Sequence, residues 1–143
     1  MKNQEINAYK QLKISSMSQQ ELIVFLYESA LMFLNEAKGK IQNEDVPGTF
    51  EKLNRARNIF LHLLSTLNAE AGGEFARRLS SLYAFFIEKI TVANVTKNTQ
   101  ELDDIIPLIS DIRDAWANIK FDENDPSLNK KGSETFQAVS LEA

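Results

Sequence analysis

The sequence predicts an all-α protein, an antiparallel up-down-up-down four-helix bundle, on three observations. Apolar residues recur every 3 or 4 positions in four successive blocks, where a half-buried strand would alternate by two. Turn-forming residues separate the blocks at Pro47-Gly48, Gly72-Gly73, Thr96-Lys97-Asn98-Thr99 and Pro126. The connections are short, about 3 to 6 residues, which makes sequential helices run antiparallel. With only 5 Gly and 3 Pro in 143 residues, a turn-rich all-β fold is disfavoured, and the length suits a single domain. The expected layout is an N-terminal segment over 1–17, the bundle over 18–119 and a tail over 120–143.

The first helix opens with Ser18-Gln19-Gln20-Glu21, a capping box in which Ser18 and Glu21 satisfy each other's orphan backbone donors. Leu22, Leu26, Ala30, Phe33, Ala37 and Ile41 form its stripe, and Ile23, Phe25, Tyr27, Leu31 and Leu34 widen it beyond one narrow seam. A surface that wide needs a second helical neighbour or a bound partner. The second helix starts at Pro47, where the missing N–H costs nothing, and runs through Phe50, Leu53, Ala56, Phe60, Leu63 and Leu67. Phe75, Leu79, Leu82, Phe86, Ile90 and Ala93 mark the third. The fourth, capped by Asn98 or Thr99, continues through Leu102, Ile105, Ile109, Ile112, Trp116 and Ile119. Pro107 lies inside it and removes one backbone hydrogen bond, so one bent helix is expected, since the apolar phase is kept on both sides. Residues 120–143 are polar, with a weak apolar pattern at Phe136, Val139 and Leu141; a short fifth helix and a mobile tail both fit.

Composition narrows the function. The absence of cysteine removes disulfides, thiolate metal sites and a cysteine nucleophile, and the single histidine, His62, removes chemistry that needs two imidazoles. His62 lacks the Glu-x-x-His spacing of a di-iron bundle, having Ile59 and Ser65 at the relevant offsets, and lacks the following lysine of a phosphotransfer domain. It reads as structural. Glu101, Asp103, Asp104, Asp111 and Asp114 read as a solvated face of the fourth helix, with the first of them favoured by the helix dipole, and not as a metal site. Ala71-Gly72-Gly73-Glu74 is a helix break without the lysine or strand of a phosphate loop. No enzyme activity, metal or cofactor is expected.

The net charge of −4 is uneven: residues 1–98 carry 12 basic against 10 acidic side chains, and 99–143 carry 4 against 10. Neither part shows a basic stripe interleaved with aromatics, so nucleic acid is not an expected partner. The opening MKNQEINAYK lacks a secretory apolar run and no stretch approaches a membrane span, so no membrane insertion and a cytoplasmic location are expected. What remains is an interaction surface. Tyr9, Tyr27 and Tyr83 are amphipathic aromatics of the kind enriched at interfaces. Ile6, Tyr9, Leu12 and Ile14 punctuate an otherwise polar segment, which reads either as a hydrophobic strap closing the bundle or as a groove-docking segment.

These residues also resemble a known family. Asn7-Ala8-Tyr9-Lys10-Gln11, then Glu21-Leu22-Ile23, Leu26-Tyr27-Glu28-Ser29-Ala30 and Phe33-Leu34, resemble the flagellar secretion chaperone family FliS. The likeness continues through Leu67-Asn68-Ala69-Glu70, Gly72-Gly73-Glu74, Leu82-Tyr83 and Ala93-Asn94 to Ile112-Arg113-Asp114-Ala115-Trp116, spanning residues 7–116 in order. Departures are Met17-Ser18-Gln19 where the family usually has a small residue, a cap and proline, Ser29 for a glycine, and Asn68 for an aspartate. The resemblance implies a cytosolic export chaperone that binds the disordered C-terminal region of flagellin in an apolar groove. Such binding prevents premature polymerisation and presents the client to the export apparatus, without nucleotide, metal or cofactor. Ile6, Tyr9, Leu12, Tyr27, Leu31 and Asn94 are the expected partner-binding residues, with residues 1–17 a displaceable flap over the groove. For Tyr27 and Asn94 the alternatives are bundle packing and helix-end capping, and Trp116 reads as core. Two other classes stay open: a self-associating structural or regulatory bundle, a homodimer included, and a signalling module that uses His62.

Overall fold

The structure is a computed structural model that describes Ala8, Leu12 and residues 15–67 and 69–119. Four helices make up the bundle: α1 (Gln19–Gln42), α2 (Val46–Thr66), α3 (Ala69–Thr96) and α4 (Gln100–Asn118). The described residues contain no strand. Helix α1 packs on α2 and α4, and α3 packs on the same two, so the helices occupy four corners in chain order, with the sparsest packing between α3 and α4. The expected tail helix, and Ile6, Tyr9 and Ile14 of the N-terminal segment, lie outside the described residues.

Each helix begins and ends for a local reason. Ser18 Oγ accepts from Glu21 N at 3.2 Å, and its hydroxyl donates to Glu21 Oε1 at 3.1 Å, so the expected capping pair meets, but through the Ser18 hydroxyl and not its backbone N–H. Asp45 caps α2 by accepting from Gly48 N at 2.9 Å, with Pro47 in the first turn. The α1–α2 turn passes through Glu44 with φ 57°, and α3 ends through Lys97 with φ 55°; both residues occupy the left-handed region that closes helices. Gly73 breaks α3 with φ 63° and ψ −142°, backbone space that only glycine enters cheaply. Helix α4 runs as one helix through Pro107, which faces solvent.

Leu22, Leu26, Tyr27, Ala30, Leu34 and Ala37 of α1 meet Leu53, Ala56, Phe60 and Leu63 of α2, Tyr83, Phe86 and Ile90 of α3, and Leu102, Ile105 and Ile109 of α4 in one core. The width of α1 is thereby explained: it serves two neighbours. Three stripe assignments are corrected. Phe50 is 56% exposed, Phe75 63% and Ile119, just past the end of α4, 42%, while Thr49 turns inward in place of Phe50, its hydroxyl donating to Asp45 O at 2.7 Å. Consecutive residues lie about 100° apart on a helix, so when Thr49 shares the inward sector with Leu53 and Ala56, Phe50 must sit on the flank.

Candidate functional site

The buried row Leu53, Ala56, Phe60 and Leu63 divides α2 into two flanks. One flank faces α1: Lys52 pairs with Glu36 at 3.0 Å, and Lys52 and Arg55 both lie over the Phe33 ring, 5.8 and 5.7 Å from its centroid. The opposite flank, toward α3, carries Val46, Phe50, Arg57 and Leu61, all at least half exposed apart from Arg57 and Leu61, which are partly covered. Helix α3 answers with the smaller Ser80, Ala84 and Thr91, the half-buried Ile87, and Asn94 with exposed Val95 at its end. Large apolar groups on one wall and small ones on the other leave an elongated apolar groove along the α2–α3 seam.

The apolar surface of this groove suits a polypeptide. Arg57 Nε beneath it is buried, has no hydrogen-bond partner among the described residues and lies out of reach of a surface ligand. Burying a Phe or Leu fully is worth about 1.5–3 kcal/mol, so covering the exposed parts of Val46, Phe50, Leu61 and Val95 yields about 4 kcal/mol. Ordering a disordered segment costs about as much. A ligand of this groove must therefore extend beyond these four side chains.

The structure does not gather the expected site residues at one point. Leu12 is 70% exposed and lies before the N-terminus of α1, whereas Asn94 lies at the C-terminus of α3, which in this antiparallel bundle is the other end. A 24-residue helix separates the two ends by about 35 Å. Asn94 Oδ1 accepts from Lys97 Nζ at 2.7 Å, so it also closes the helix end, while belonging to the flank that borders the groove. Tyr27 and Leu31 are corrections: they are 0% and 8% exposed, packed in the core, and present no surface to a partner. The groove residues Val46, Arg57, Leu61 and Val95 were missed. Their signal was a second apolar row on α2, out of phase with the core row.

Tyr27 holds the centre instead. Its hydroxyl and that of Tyr83 hydrogen-bond each other across the bundle diagonal, and the Trp116 indole hydrogen-bonds the Tyr27 hydroxyl as well. Phe60 packs on both tyrosines, with ring centroids 6.4 and 6.0 Å away. All four helices thus contribute to one cluster. Burial pushes the Tyr27 phenol up to about 12, opposed by its hydrogen bonds from Tyr83 and Trp116, and burial raises Tyr83 as well. Trp116, expected as core, is half-buried and reaches this cluster from the rim.

The acidic face of α4 is taken up by lysines. Lys38 of α1 meets Asp103 at 2.5 Å, and Lys89 of α3 meets Glu101 at 2.9 Å and Asp104 at 3.6 Å. The Glu101 carboxylate holds the Lys89 ammonium above its ordinary range. These pairs tie α4 to both neighbours. Among the described residues no helix is long and apolar enough to cross a membrane.

Comparison with known proteins places this geometry. Residues 1–123 match the family described as flagellar protein FliS. The chain is 36% identical over 121 residues to the flagellar secretion chaperone FliS of Campylobacter jejuni, covering 85% of this chain and 94% of that protein. It is 34% identical over 118 residues to the protein of the same name from Vibrio cholerae, covering 80% and 87%. With that of Bacillus subtilis the identity is 30% over 109 residues, covering 76% and 80%.

Proposed function

This chain belongs to the FliS family, and on that premise we propose that it is a cytosolic export chaperone that binds the C-terminal region of flagellin along the α2–α3 groove. The observation that carries the assignment of the site is the second apolar row of α2, Val46, Phe50 and Leu61, left exposed beside a core that is complete without it. Recognition is of the helix-in-groove and extended-segment type: apolar anchors fill the spaces between the large α2 residues. Ile6, Tyr9 and Leu12 form a strap that contacts or competes with the client, and Asn94 borders the far end of the path. Covering the client's apolar segment prevents it from polymerising before export, and the loaded chaperone is presented to the export apparatus. The role requires no catalysis.

Isothermal titration with a peptide covering the C-terminal region of the organism's own flagellin tests this. Binding with a large negative heat-capacity change and a gain of helix in the peptide is expected. Phe50→Ser together with Leu61→Ser should weaken it by about 10- to 100-fold, or about 1.4–2.8 kcal/mol, with the bundle still folded. Unchanged affinity in that variant would remove the groove from the path, and no binding by the unmodified chain would remove flagellin as client.

A further inference from the structure

A second apolar strip runs along the α3–α4 seam, on the flank of α3 turned away from the groove. Lys89 places that flank beside α4 by pairing with Glu101 and Asp104, and Phe75 does so at the other end, its ring meeting Trp116 edge-on with centroids 6.5 Å apart. Between these points Phe85 and Leu108 stay exposed, and Ile119 continues the strip where α4 ends. Packing between α3 and α4 is the sparsest of the four helix seams, and Phe85, Leu108 and Ile119 are left 37%, 42% and 42% exposed. We propose that residues 120–143 of this same chain dock on it, as an intramolecular cover distinct from the client groove.

Two facts select that occupant over a separate molecule. First, the segment leaves from the strip itself, because Ile119 is one of its exposed members. Second, the reach is ample: Phe136 follows Ile119 by 17 residues, about 55 Å when extended, against about 28 Å for the 19 residues of α4. Phe121, Phe136, Val139 and Leu141 supply apolar groups for the strip. A tethered segment meets its site at an effective concentration in the mM range, so weak individual contacts suffice. The family match covers residues 1–123.

The chain has no cysteine, so Ser133→Cys in the full-length protein gives a single attachment point for a nitroxide label. Amide signals of Phe75, Phe85 and Leu108 should lose intensity selectively, while those of Phe50 and Leu61 should not. Phe136→Ser with Val139→Ser and Leu141→Ser, added to the labelled chain, should restore them, and these changes leave the bundle core untouched. Loss spread evenly over all faces, or centred on Phe50 and Leu61, overturns the proposal. So does loss that appears when unlabelled isotope-enriched chain is mixed with nitroxide-bearing chain, since that assigns the strip to a second copy.

Discussion

Replacing Tyr27 by Phe separates a core role from a binding role for this residue. Tyr27 is fully buried, and its hydroxyl is the shared partner of the Tyr83 hydroxyl and the Trp116 indole. Its removal leaves the hydroxyl of the buried Tyr83 without that bond, at about 1–3 kcal/mol. The half-buried Trp116 indole turns to water at smaller cost, so Tyr27→Phe should destabilise the bundle by about 2–3 kcal/mol. Tyr83→Phe removes one of the two bonds and leaves Tyr27 paired with Trp116, so about 1–2 kcal/mol is expected. In the double variant both hydroxyls are gone and no orphan is left between the rings, a change that is nearly neutral when shape is kept. The double variant should therefore be no less stable than Tyr27→Phe alone, with a coupling energy of at least about 1–2 kcal/mol. Urea unfolding followed by helical circular dichroism and by fluorescence of Trp116, the only tryptophan, measures all four corners of the cycle. Simple additivity, or a Tyr27→Phe variant of unchanged stability but weakened flagellin binding, would refute the central cluster as a structural lock.

Three further outcomes follow from the packing of the bundle. Tyr27 stays neutral in the folded chain up to about 12, against an ordinary 10.0, so the unfolded chain releases this proton first as pH rises. Its contribution is complete below pH 10 and is lost between about pH 10 and 12, amounting to about 3 kcal/mol, which urea titrations across that range will show as a falling midpoint. Gln20 Nε2 lies 2.8, 3.1 and 2.7 Å from the carbonyl oxygens of Trp116, Ala117 and Ile119 at the end of α4, where Trp116 O also accepts from Ile119 N at 3.4 Å. Gln20→Ala should cost about 1–2 kcal/mol and speed amide exchange in the last turn of α4. Glu44 occupies the left-handed region at φ 57° in the α1–α2 turn, so Glu44→Gly should raise stability by about 1 kcal/mol, read as a higher thermal midpoint.

The bundle was legible because its signal is long-range in phase and local in punctuation. Four apolar rows and the turns between them determine helix count and direction, and residues such as Leu53, Phe60, Ile90 and Ile105 fall in the core where their spacing puts them. The site was less legible, because the sequence gives rotational position only to within a residue. Thr49 and Phe50 are adjacent, either completes the row that begins at Leu53, and only the capping of α2 by Asp45 decides that Thr49 turns inward. Tyr27 failed for a different reason. An amphipathic aromatic suggests an interface, but a tyrosine that finds two polar partners inside a bundle is as well satisfied there, and those partners lie 56 and 89 positions away in sequence. Gln20 was invisible for the same reason, its acceptors being about a hundred residues distant.

The position of the lock constrains how a client is held. Tyr27, Tyr83 and Trp116 join α1, α3 and α4 across the diagonal, with Phe60 of α2 filling the space between the tyrosines. Opening the bundle to admit a client helix would break these bonds and expose the largest buried side chains, a cost far above the few kcal/mol that the groove's exposed groups return. Binding on the proposed path is therefore superficial, along α2 and α3, and affinity grows with the length of client laid down and not with the depth of any pocket. A closed core with a shallow groove some 30 Å long selects for a ligand that is extended and unfolded beforehand. That is the state in which a subunit awaiting export has to be kept.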